Sequence, residues 1–164
     1  MPEREIVERA HRDASRGKSP STQAGEFVHE EMRHIREGKH GARSTKQAIA
    51  IGLSKARRSG VKLRASKTSS ARTRAQAKRD LAKGKRRNRK TSRTRSRAVE
   101  GALRREGNRA ATRRSLSRQA HASARRRSAS ARSASARKAV RTKGAAGRSV
   151  AARKAARARA RHSR

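Results

Sequence analysis

The run His29-Glu30-Glu31-Met32-Arg33-His34 is the part of this chain richest in groups that bind metals or move protons. Zinc-protease chemistry needs two histidines four residues apart, so that both imidazoles leave one helical face. Here they are five apart. At 100° per residue, His29 and His34 lie about 140° apart round a helix, too far to share an ion. Other reactive constellations are missing. There is no cysteine for a thiolate nucleophile or a sulfur-ligated zinc. No serine has a plausible acid–histidine pair near it, and neither a Walker phosphate loop nor a GxGxxG fingerprint occurs. The chain reads as a non-enzyme, with no catalytic residue, no metal and no cofactor.

Gly38-Lys39-His40-Gly41 is a GxxG turn followed by Arg43 and a helix start at Ser44 and Thr45. Glycines let a backbone approach phosphate, and helix N-termini attract anions. The KH module clamps nucleotides with such a loop. That module needs a sheet, and no strand is readable here. The plainer reading is a helix stop and a turn; the alternative is a phosphate cradle.

Three amphipathic helices position these groups. The first covers about residues 3–16, started by Pro2, favoured by Glu3 and Glu5, and stopped by Gly17. Its thin apolar stripe is Ile6, Val7, Ala10 and Ala14. The second covers about 22–37, with Ala24, Phe27, Val28, Met32 and Ile35 in an arc of about 140°. Glu31 falls inside that arc, which predicts a Lys or Arg partner from a neighbouring helix. Gly38 suits its C-terminal cap. The third opens on the capping box Ser44-Thr45-Lys46-Gln47, in which the Gln47 side chain is expected to reach back to Ser44. Ala48, Ile49, Gly52, Leu53 and Ala56 make its buried face. Gly60 stops it, and Val61 folds back in a Schellman ending.

Charge divides the chain. Residues 1–37 carry eight carboxylates against seven Lys/Arg, and residues 38–164 carry three (Asp80, Glu100, Glu106) against 43. Large aliphatics thin out after Leu63, and Phe27 is the one aromatic residue. A core is therefore expected only from the first sixty residues or so. The expected fold is mainly α. A small helical head of about three short helices fills residues 1–62. A long basic tail, 63–164, is low in complexity, rich in Arg, Lys, Ala and Ser, and disordered or conditionally helical. Segments near 97–106 and 150–161 are expected to become helical once phosphates neutralise them.

The stretch Glu26-Phe27-Val28-His29-Glu30-Glu31, then Gly38-Lys39-His40-Gly41, then Ser44-Thr45 and the run KQAIAIGLSKAR (46–57) resembles a family of small basic bacterial proteins of uncharacterised function. Members are often labelled plasmid stabilisation or DNA-binding proteins. The resemblance covers about residues 19–63 and implies a bacterial, DNA-associated setting. The tail is similar in composition to the tails of linker histones and bacterial histone-like proteins.

A tail of this charge needs a polyanion. Arginines, 37 of the 50 basic residues, bind phosphate bidentately. With no aromatic residues in the tail to stack on bases, binding is expected through phosphates and nearly independent of sequence. The expected function is non-specific binding, compaction or protection of duplex DNA in the nucleoid or on a plasmid. The alternatives are an RNA- or ribosome-associated protein, or an adaptor whose head binds a protein partner or a second copy while the tail tethers it to DNA. Candidate phosphate contacts are Arg43, Arg57, Arg58, Arg86, Arg87, Arg89, Lys90, Arg93, Arg95, Arg97, Arg113, Arg114, Arg125, Arg126 and Arg127. The longest apolar run, Ala48–Ile51, is far short of a membrane span, so a cytoplasmic, nucleoid-associated setting is expected and no membrane partner.

Overall fold

A computed structural model describes residues 2–85 and 92–162, with side chains as far as residue 160. Helix α1 (Arg4–Ser15) is followed by α2 (Pro20–Arg36) and α3 (Thr45–Arg58). The Ser19 hydroxyl caps α2 ahead of Pro20, and the Ser44 hydroxyl accepts the Gln47 amide at 3.2 Å to cap α3. Gly60 adopts φ +98°, and the Val61 amide reaches back to the Ala56 carbonyl at 3.1 Å. That is the Schellman ending, and it buries Val61.

Two apolar clusters hold these helices. Ile6 and Ala10 of α1, Ala24 and Phe27 of α2, and Ala56 with Val61 make the first. Met32, Ile35, Ala42 and Ala48 make the second together with Ala110 and Ala111. Gly52 brings α3 close to α2, since a Cβ there would lie 2.7 Å from Val28 Cα and 3.0 Å from the Phe27 carbonyl oxygen.

The second cluster shows where the expected fold fails. Ala110 and Ala111 belong to a 3-10 turn (Asn108–Ala111) far along the basic half. Thr45 Oγ1 donates to the Ala110 carbonyl at 2.7 Å, and Arg36 Nε donates to the Ala111 carbonyl at 2.9 Å. Helix α4 (Ala71–Lys85) packs on α3. Its anchor is Asp80, fully buried, which accepts from Ser54 Oγ at 2.8 Å, Arg58 Nε at 2.9 Å and Gln76 Nε2 at 3.2 Å. Helices α5 (Arg93–Arg104), α6 (Arg113–Arg125) and α7 (Ala129–His162) complete the described residues. A three-helix head with a disordered or conditionally helical tail is thus overturned. Segments 97–106 and 150–161 lie largely in α5 and α7 with no polyanion present. The expectation gave most weight to missing apolar residues and to like-charge repulsion. Ala, the best helix former, recurs throughout α7, and a few alanines plus one carboxylate suffice to dock α4 and the 3-10 turn.

The chain forms two compact units, Met1–Gln119 and Ala120–Arg164, with the boundary inside α6. In the second unit α7 breaks at Gly144, whose φ of 63° and ψ of −178° separate helical stretches 129–143 and 145–162. Among the described residues no helix is long and apolar enough to cross a membrane.

Candidate nucleic-acid interface

The carboxylates of the first unit are largely used inside it. Asp13 pairs with Lys18 at 2.6 Å, Glu5 with Arg9 at 3.4 Å, and Glu26 with Arg9 at 3.7 Å. Glu3 meets Arg33, His34 and Lys39. Hydrogen bonds from His34 and then Arg33 hold the Glu3 pKa down to about 2, from an ordinary 4.5. The Arg33 pKa is raised in return by its bond to Glu3, and that of Lys39 by its bond to Glu37. Burial alone would raise the Asp80 pKa, but hydrogen bonds from Ser54, Arg58 and Gln76 outweigh it and keep it below the ordinary value.

Beyond residue 62 the balance reverses, with 36 Lys/Arg against three carboxylates. One of those three holds α4, and Glu100 pairs with Arg104 at 2.7 Å one turn on. The second unit carries fifteen Lys/Arg and no carboxylate at all. Every described residue of α7 except Ala131 is exposed. Ala129, Ala131, Ala134 and Ala136 open it, and its cations stand on an alanine- and serine-rich rod with no acid in reach along the same helix.

The candidate contacts differ in their surroundings. Arg93, Arg95 and Arg97 stand exposed in the first turns of α5, capped by Ser92, and Arg113 and Arg114 open α6 equally exposed. Arg125 ends α6, and Arg126 and Arg127 lead into α7; all three are exposed. Arg127 is also used locally, donating to the Ala131 carbonyl at 3.1 Å and to the Ser135 hydroxyl. Arg57 and Arg58 have internal work: Arg57 Nε donates to the Leu63 carbonyl at 2.9 Å, and Arg58 holds Asp80. Arg58 is still half-exposed. Arg86, Arg87, Arg89 and Lys90 lie outside the described residues.

The GxxG cradle does not form. The Gly41 amide donates to the Leu103 carbonyl at 2.8 Å, and the Ala42 amide to the Gly107 carbonyl at 3.2 Å. A Cβ on Gly41 would sit 1.8 Å from the Glu106 carbonyl oxygen. Residues 103–107 thus cover the loop that a phosphate would need. At the start of α3, Arg43 is exposed, but its amide donates to Gln47 Oε1 at 2.9 Å. The capping side chain therefore reaches one residue further back than Ser44.

Residues 19–67 match a family of unknown function (DUF6496). Neither a curated protein nor a solved structure matches the chain. The matched stretch runs from the cap of α2 past the end of α3, and includes Gly52 but neither Asp80 nor α7.

That stretch also holds a buried polar cluster. Glu31 is fully buried, with Lys55 Nζ at 2.6 Å from Oε2 and His40 Nε2 at 3.4 Å from Oε1. This is the basic partner from a neighbouring helix that its position predicts. Glu30, also buried, accepts the Glu3 amide at 2.6 Å. His34 Nε2 lies 2.9 Å from Glu3 Oε1, and the rings of His34 and His40 meet edge to face at 6.1 Å. Considering His29 and His34 alone misses this grouping, because His29 is exposed and the second imidazole comes from beyond the Gly38 turn. The readable signal is Glu31 and His34 three apart on one helical face, followed by a histidine just past a helix stop.

Proposed function

We propose that the chain binds nucleic acid without sequence preference, and that its target is duplex DNA in a bacterial nucleoid or on a plasmid. One observation carries the reading: the second unit has fifteen cations and no carboxylate in its sequence, and every one of its cations whose side chain is described is exposed. Such a surface has no internal partner for its charge, and phosphate is the abundant ligand that supplies one. The helices present Arg forks on an alanine background, which suits phosphate contact rather than base stacking. The match to a family of unknown function leaves this reading to the chemistry of the surface.

The test is affinity against salt. With about ten cations on phosphates, log affinity falls against log salt with a slope near −9, at ~0.9 per phosphate for duplex DNA. Unrelated duplexes of equal length bind alike. A slope shallower than about −3, or strong preference among duplexes, refutes phosphate-driven binding. Tighter binding to structured RNA at matched salt refutes the duplex-DNA assignment.

A further inference from the structure

We infer that Glu31, His34 and His40 form a binding site for a divalent transition-metal ion of the Zn²⁺ class, separate from the basic surface. One ligand atom from each of the three comes within 4.8 Å of the other two. Glu31 and His34 share a face of α2, three residues apart, and the turn at Gly38 brings His40 back over them. Two imidazoles and one carboxylate suit zinc and its neighbours, whereas Mg²⁺ and Ca²⁺ ask for oxygens throughout.

The contact between His40 and Glu31 has the spacing of two ligands on one ion. His40 Nδ1 lies 3.2 Å from the Gly41 carbonyl, which can only accept, so Nδ1 carries the proton. The lone pair of a neutral His40 is then on Nε2, and Nε2 faces Glu31 Oε1 at 3.4 Å. In that form two acceptors face one another, and a cation between them would reconcile the contact. The edge of a tetrahedron with metal–ligand bonds of ~2.05 Å is about 3.3 Å. Glu31 Oε1 is buried and accepts no hydrogen bond, the state in which a buried carboxylate oxygen gains most from an added cation.

The surroundings match those of metal-binding histidines. Such a ligand usually gives its other ring nitrogen to a carbonyl or a carboxylate. His40 gives Nδ1 to the Gly41 carbonyl, and Glu3 Oε1 takes Nε2 of His34 at 2.9 Å. Lys55 neutralises Glu31 through Oε2 and leaves Oε1 to the ion. With three protein ligands, a fourth position is left for water. The ion would tie the end of α2 to the turn that carries the polypeptide into α3.

Zn²⁺ titration of the full-length protein by calorimetry, with Co²⁺ absorption as a second readout, tests this. One equivalent is expected at micromolar affinity or tighter, with a rise in Tm on addition of the ion. His40→Ala is half-buried rather than core, and circular dichroism reports whether it folds. It should weaken binding at least tenfold, as should His34→Gln, while His11→Ala combined with His29→Ala leaves it intact. No binding to the folded wild type overturns the proposal. Binding that survives His40→Ala but is lost in Glu3→Ala also overturns it. That result places the ion on Glu3, Glu30 and His34, a second grouping of the same size.

Discussion

Replacing Asp80 with alanine should undock α4 from α3. The carboxylate is fully buried and receives three hydrogen bonds, from Ser54, Arg58 and Gln76. Bonds to a charged group contribute about 1.5–3 kcal/mol each, and removing one partner of a buried pair costs about 3–5 kcal/mol when the other charge stays buried. Arg58 is half-exposed and Gln76 is near the surface, so both rehydrate once Asp80 is gone. That lowers the net loss to about 2–3 kcal/mol. For a unit of this size the Tm should fall by about 10 °C. The assay is thermal unfolding followed by circular dichroism, paired with amide hydrogen exchange across 71–85. Protection in α4 should collapse while that of α2 and the start of α3 persists. Because folding lowers the Asp80 pKa, its contribution is complete above the ordinary carboxylate range and disappears as pH falls through the lowered value. Asp80→Ala should therefore flatten that part of the acid limb. A Tm unchanged within about 1 °C, with α4 amides protected as before, would refute this account of the docking.

Gly52→Ala should lower the urea midpoint by an amount worth about 1–3 kcal/mol, since its Cβ meets backbone of α2 that cannot step aside. Gly41→Ala should expel residues 103–107 from the turn; hydrogen exchange should show the Gly41 and Ala42 amides losing protection with little change in helix content. Glu3, with its pKa near 2, should stabilise the N-terminal end of the fold fully above pH 4.5 and lose that contribution between 4.5 and about 2. Carboxyl NMR titration of Glu3 reads this directly, and an ordinary midpoint would remove His34 and Arg33 as its partners.

What the sequence made legible was what period and caps encode. Phe27, Met32 and Ile35 mark the buried side of α2, Ser44 and Gln47 mark the start of α3, and Gly60 with Val61 marks its end. Glu31 on the apolar face required a basic neighbour, and Lys55 supplies it. Long-range pairing was not legible. The second apolar cluster borrows Ala110 and Ala111, and alanine carries no period that separates a buried position from an exposed one. Asp80 is one of three acids among residues 63–164, but an isolated carboxylate does not name its partner. The helices of the basic half were hidden because propensity and charge repulsion point in opposite directions there. His40 joins His34 only through the shape of a turn, which spacing along one helix does not capture.

Gly144 divides α7 into two arms, and the arms repeat. Arg132, Arg137, Lys138, Arg141 and Lys143 recur sixteen residues on as Arg148, Arg153, Lys154, Arg157 and Arg159. At 100° per residue neither set keeps to one side; each encircles its arm. A rod coated in this way has no back. A duplex lying along it can screen only the cations it faces, and those on the far side keep their full field. If the proposed function holds, an arm that has accepted one duplex would still present a binding face to the next. The glycine lets the second arm take a different direction from the first. On the proposed reading, this geometry would suit a cross-link between duplexes rather than a sheath around one.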